Sequence, residues 1–246
     1  MIMNKTLKIV LTSIGATLVC AYVVGAIVFF PDHKQEQVCQ RLEINISDSD
    51  KRQFLSDKDL RKMLKGKGLM PENKPFNEIE TQALEDAAMN VEVLREAECY
   101  KTNSGTVSLN VRQREPRLRV IGAENYYVDS ERKIMPASYK TACRVPVVTG
   151  RLTHEMAQTE IYDFALWLDD HSFWSAQIEQ INVLDNKEVE LIPRVGGHVI
   201  LLGQLVDYEQ KLEKLQVFYD EGFSKVGWLP YREVDLRYKG QVVGRK

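Results

Sequence analysis

Residues 9–30 read IVLTSIGATLVCAYVVGAIVFF, twenty-two positions without a charge. Coiled as a helix, the run spans about 33 Å, against a hydrocarbon core of about 30 Å. Twelve of its residues are Val, Ile, Leu or Phe. At roughly −0.4 kcal/mol each, these favour insertion by about 5 kcal/mol, and no charge offsets it. A cleaved signal peptide has a shorter apolar stretch of about 7–15 residues. A lipoprotein signal wants a small residue before Cys20, where Val19 stands. A buried globular helix is rarely apolar all round over this length. The run therefore predicts a transmembrane helix over 9–30, preceded by a short tail, 1–8.

The tail carries Lys5 and Lys8 and no acid, whereas beyond Pro31 basic and acidic residues are interleaved. The positive-inside rule puts the tail in the cytosol and the rest outside. The expected location is the cytoplasmic (inner) membrane, crossed once. Cys39, Cys99 and Cys143 then face an oxidising compartment, which permits disulfides, and an odd number leaves at least one without an internal mate.

Chemistry is sparse. The formal net charge of −2 argues neither for nucleic acid nor for an anionic membrane surface. The cysteines show no CxxC spacing, and HExxH, GxSxG and a phosphate-cradling glycine loop are missing from the sequence. Asp169, Asp170 and His171 are adjacent, and neighbours in sequence do not share a helix face, so they read as a solvated helix end. His198 follows Gly196-Gly197 and reads as a hairpin residue. No catalytic residue, metal ligand, cofactor or small-molecule substrate is assigned, and an enzyme is not expected.

Beyond the apolar run, residues 39–115 have a readable order. "RLEINI" alternates as a strand. "LSDKDLRKMLKGKGL" has Ser56 as N-cap, a stripe of Leu60, Met63 and Leu64, and closing glycines. "FNEIETQALEDAAM" reads as a second helix starting at Asn77, with Glu80 three residues on in a capping-box arrangement. "VEVLREAECYK" and "TVSLNVRQR" are strands around the turn "TNSG". The sum is β-α-α-β-β, with both helices covering one face of a three-stranded sheet.

Pro116 stops that ladder, and residues 116–246 change texture. Short strands broken by Gly and Pro precede "HEMAQTEIYDFALWLDDHSFW", read as one helix burying Ile161, Phe164, Ala165 and Leu168. Three strands follow, with turns at Asp185-Asn186 and Gly196-Gly197. "VDYEQKLEKLQVFYDEGF" is a helix capped by Asp207. The chain closes on "REVDLRYKGQVVGRK", where Val234, Leu236 and Tyr238 alternate with Glu233, Asp235 and Arg237 as a strand with one dry and one wet face. The expected fold class is α+β: a transmembrane helix, the β-α-α-β-β domain, then a mostly antiparallel β domain with two helices.

This layout, with "REPRLRVI", "YYVDSERKIMP", "VPVVTG" and "VDLRYKGQVV" in that order, resembles the bacterial cell-division family FtsQ/DivIB over essentially the whole chain. The resemblance implies that 39–115 is a POTRA (polypeptide-transport-associated) domain and 116–246 the family's β domain. It implies a non-enzymatic, single-pass scaffold of the divisome whose final strand binds FtsB/FtsL-type partners. In that strand Leu236, Arg237, Tyr238, Gln241 and Val242 are the candidate anchors, since a large aromatic and an arginine are the usual hot-spot types. The sequence departs from the family in the turn after Val128-Asp129, where Arg132 or a neighbour replaces a frequent glycine. An alternative reading is a membrane-anchored extracytoplasmic adaptor or sensor unrelated to division. A POTRA-bearing outer-membrane factor needs a long run of barrel strands, which this chain has no room for.

Overall fold

The computed structural model describes residues 14–24, 37–49, 53–137, 143–223 and 231–246. Residues 14–24 form a helix, α1, whose apolar side chains, Leu18 and Tyr22 among them, stand exposed. The remainder of the uncharged run, and the tail before it, lie outside the described residues. Among the described residues no helix is long and apolar enough to cross a membrane.

The small domain follows the expected order: β1 (Arg41–Ile46), α2 (Asp57–Gly66), α3 (Thr81–Met89), β2 (Leu94–Lys101) and β3 (Thr106–Gln113). The sheet order is β1-β3-β2, with β1 parallel and β2 antiparallel to the central β3. A parallel join requires a crossover, which α2 and α3 supply. Their apolar stripes meet the sheet in one core of Leu60, Leu64, Leu84 and Ala87 against Leu42, Val107, Leu109 and Val111. The other face is polar, with Asn45 Nδ2 donating to Asn110 Oδ1 at 3.0 Å. Ser56 caps α2 in a capping box completed by Asp59. The second helix starts later than its pattern suggests. Phe76–Glu78 is a 3-10 turn, and α3 begins at Thr81 behind Glu80, whose side chain makes no cap bond.

The large domain is one nine-stranded sheet. Its strands are β4 (Pro116–Ile121), β5 (Tyr126–Asp129), β6 (Ile134–Pro136), β7 (Val147–Gly150), β8 (Ile178–Val183), β9 (Val189–Pro193), β10 (Val199–Gly203), β11 (Glu233–Asp235) and β12 (Val243–Arg245). They lie in the order β12-β11-β10-β9-β8-β7-β4-β5-β6. The joins β4/β7, β7/β8 and β10/β11 are parallel. The other five joins are antiparallel, so the sheet is mostly antiparallel, as expected, but mixed. At β7/β8 and β10/β11 helical crossovers return the chain in the same direction.

The first crossover is α4 (His154–Gln158), α5 (Glu160–Asp170) and α6 (Ser172–Gln177), where one helix was expected. It breaks at Thr159, with φ −118 and ψ −103, where the Thr159 hydroxyl bonds back to the Glu155 carbonyl at 2.7 Å, a contact that bends helices. The second is α7 (Tyr208–Phe218). Asp207 does precede it, but in a left-handed conformation with no side-chain cap bond. Ile161, Phe164 and Leu168 of α5 and Leu212 and Leu215 of α7 bury one face of the sheet against Val148, Ile181, Leu191, Ile200 and Val234. Each such fully buried side chain contributes about 1.5–3 kcal/mol.

The quoted sequence words meet in space. β4 pairs with β5, which joins "REPRLRVI" to "YYVDSERKIMP". Arg132 has φ +62, so the turn keeps a left-handed geometry without glycine. Contacts from its guanidinium offset that strain: a bond to the Gln158 carbonyl, an ion pair with Asp163 and stacking 4.5 Å over the Tyr162 ring.

Candidate functional site

The closing segment is not one strand. Its alternation holds through Val234 and Leu236, both buried, and Leu236 N–H still bonds to the Leu201 carbonyl at 2.9 Å. The chain then turns through Tyr238–Gly240, with Gly240 at φ +80, and returns as β12, antiparallel to β11. β11 is consequently paired on both sides, by β10 and β12. The sheet edge passes to β12.

Asp235 fixes this hairpin. The period-two pattern put it on the wet face, yet it is fully buried. Arg237 grips it with a two-pronged fork, Nε to Oδ1 at 2.9 Å and an Nη to Oδ2 at 2.8 Å, and Arg245 of β12 adds a bond of 2.9 Å. Such charge-assisted, bidentate contacts are the strong ones. The Arg237 hydrogen bonds are the first cause of an Asp235 carboxyl held below its ordinary range. The same pairing pushes the Arg237 guanidinium upward, and Glu188 accepts a further, longer contact at 3.5 Å. The aliphatic stem of Arg237 lies over Gly203, where an added Cβ would stand 2.8 Å from Cγ.

The hairpin turn and α7 face each other across a cleft of about 520 Å³. All five sequence-picked residues line it, but they do different work. Leu236 is a core residue at 2 % exposure, and Val242 packs against that core. Arg237 is held internally. Tyr238, at 52 % exposure, and Gln241 are the open contacts. The opposite wall brings Val206, Gln210, Lys211 and Lys214, which the sequence reading missed. Lys211 Nζ donates to the Leu202 and Gln204 carbonyls at 3.0 Å each, and burial lowers its pKa. The i, i+4 spacing of Gln210 and Lys214 marks a polar helix face; only the fold shows that it looks at the chain's last turn. Cations outnumber acids here: Lys211, Lys214, Arg237 and Lys239 against Glu188 and Asp207.

The remaining candidates are structural. His171 ends α5 and stacks on Trp167, with ring centroids 3.9 Å apart. His198 is buried, its Nε2 2.8 Å from the Tyr219 hydroxyl. Among the described residues no His, Cys, Asp and Glu group that could hold a metal occurs. Cys39 and Cys99 are free thiols, and burial raises Cys39 and pushes Cys99 to about 11.

Comparison with known families agrees with this architecture. Residues 37–112 match the POTRA-like domain family. Residues 115–245, more than half of the chain, match the family described as FtsQ/DivIB, C-terminal related. No curated protein matches at a significant level. The chain belongs to the FtsQ/DivIB, C-terminal related family, whose domains are those of a division-related scaffold.

Proposed function

We propose that this protein is a membrane-anchored scaffold of the bacterial divisome that binds an FtsB/FtsL-type partner outside the cytoplasmic membrane, by addition of a strand to β12. The observation that carries this reading is the position of β12. It ends the nine-strand order and lies beside the cleft that collects the five candidate residues. A strand at a sheet edge presents unpaired N–H and C=O groups as a template for another chain.

The energetics call for side-chain anchors. A three-residue edge offers about three backbone bonds at roughly 1 kcal/mol net each, whereas association costs about 4–15 kcal/mol. Tyr238 and Gln241, with the α7 lysines opposite, supply the surplus. The uncharged run at 9–30 is the proposed anchor, and the exposed apolar side chains of α1 suit lipid.

Tyr238 is the residue to test, because it is exposed and Arg237 is tied into the fold. Tyr238→Ala is expected to weaken an FtsB-type peptide by at least about 1–2 kcal/mol, or roughly tenfold, without moving the unfolding midpoint. Equal affinity for both proteins would sink the docking model. A photo-crosslinker at position 238 in cells separates the alternatives: it captures a division protein if the reading holds, and other proteins if the chain is an unrelated adaptor.

A further inference from the structure

We propose that the junction between the two domains is a fixed clamp, with Arg114 as its pin, so that the POTRA-like domain and the β domain turn as one rigid body. The linker is two residues long, Arg114 and Glu115, between β3 ending at Gln113 and β4 starting at Pro116. Both linker residues are pinned through the backbone. Arg114 N–H bonds to the Val93 carbonyl on the small-domain side, at 2.9 Å, and the Glu115 carbonyl accepts from Ser130 N–H on the large-domain side, at 2.8 Å. Pro116 fixes the next φ.

Side chains close the joint. Arg114 Nε donates to the Glu92 carbonyl of the small domain at 3.1 Å, while an Nη bonds Asp129 at 2.7 Å and Glu131 at 3.1 Å in the large domain. The side chains of Arg114 and Asp129 are 11 % and 1 % exposed, so water does not readily substitute for the pair. Arg95 of β2 adds a second bridge to Glu131 at 3.0 Å. Beside them Phe54 packs edge-on against the Tyr127 ring, centroids 5.9 Å apart, with Met135 behind. The Phe54 loop is itself held by the buried Gln113 side chain, which accepts from Phe54 N–H and Leu55 N–H at 2.9 and 3.1 Å. A hinge needs backbone free to change φ and ψ; here every linker position is tied to one domain or the other.

The clamp does not depend on what occupies the cleft. Its test is the interdomain distance in the full-length protein in lipid nanodiscs, read by pulsed electron-spin resonance. Spin labels are placed through unnatural amino acids at Lys67 and Glu213, both exposed. The wild type is expected to give one narrow distance distribution, and Arg114→Ala one at least about twofold wider. Arg114→Lys, which keeps the charge but loses the Glu92 bond, is expected to lie between, and serves if Arg114→Ala fails to fold. A broad distribution in the wild type overturns the clamp. A distribution left narrow by both variants overturns the role of Arg114.

Discussion

Arg237→Ala separates holding the fold from meeting a partner. The substitution removes a two-pronged grip on a fully buried carboxylate. A hydrogen bond to a charged group contributes about 1.5–3 kcal/mol, so two such bonds set a ceiling of about 3–6 kcal/mol. Two facts lower it. Arg245 stays on Asp235 at 2.9 Å, and the Arg237 side chain is 38 % exposed, so solvent screens part of the gain. The expected loss is about 2 kcal/mol. Trp167 and Trp174 lie in the large domain, and the sequence has no tryptophan before residue 167, so tryptophan fluorescence in a urea titration does not report the small domain.

The pH dependence checks the cause. Folding holds the Asp235 carboxyl below its ordinary 3.8, so the folded state binds fewer protons than the unfolded one. The resulting stability is full above 3.8 and is lost as pH falls through the folded-state value. The gap between wild type and Arg237→Ala should therefore be widest near neutrality and close in acid. A gap under about 0.5 kcal/mol at neutral pH, or one that persists once Asp235 is protonated, refutes the argument.

Gly150→Ala sets a Cβ 2.0 Å from the Val183 carbonyl oxygen at a residue with φ +96, and should lower stability by at least about 2 kcal/mol, seen as a lower melting temperature. His198 is buried neutral, with its pKa lowered from 6.5 first by desolvation; its contribution is full above 6.5 and lost as pH falls through the lowered folded-state value, so the urea midpoint should drop in that window. His198→Gln should flatten the drop, and an unchanged slope would refute it. The buried Cys39 and Cys99 thiols, raised by desolvation, should resist alkylation in the folded protein and react with iodoacetamide in urea; rapid labelling of both without denaturant would contradict their burial.

The small domain was legible because its signals are local. Ser56 and Asp59 cap α2, and Leu60 and Leu64 carry a helical period. Val107, Leu109 and Val111 carry a strand period. Each pattern spans less than one element, and helices that bury one stripe on one sheet leave few arrangements. The large domain resisted where contacts are distant. Nothing within His154–Trp174 says that the helix breaks at Thr159, and no alternation says which strands run parallel.

The last fifteen residues mark the boundary most clearly. Sequence alone marked Val234 and Leu236 as facing a core, and Arg237 and Tyr238 as residue types common at binding hot spots. Only the tertiary structure decided that the strand folds back as β12 and hands it the sheet edge. Only it decided that α7 presents Lys211 and Lys214 across the cleft. It also reversed Asp235, which a period-two pattern assigns to water. A carboxylate is buried when two arginines close on it from positions 237 and 245, and the register of a hairpin, not the polarity of one residue, brings them there.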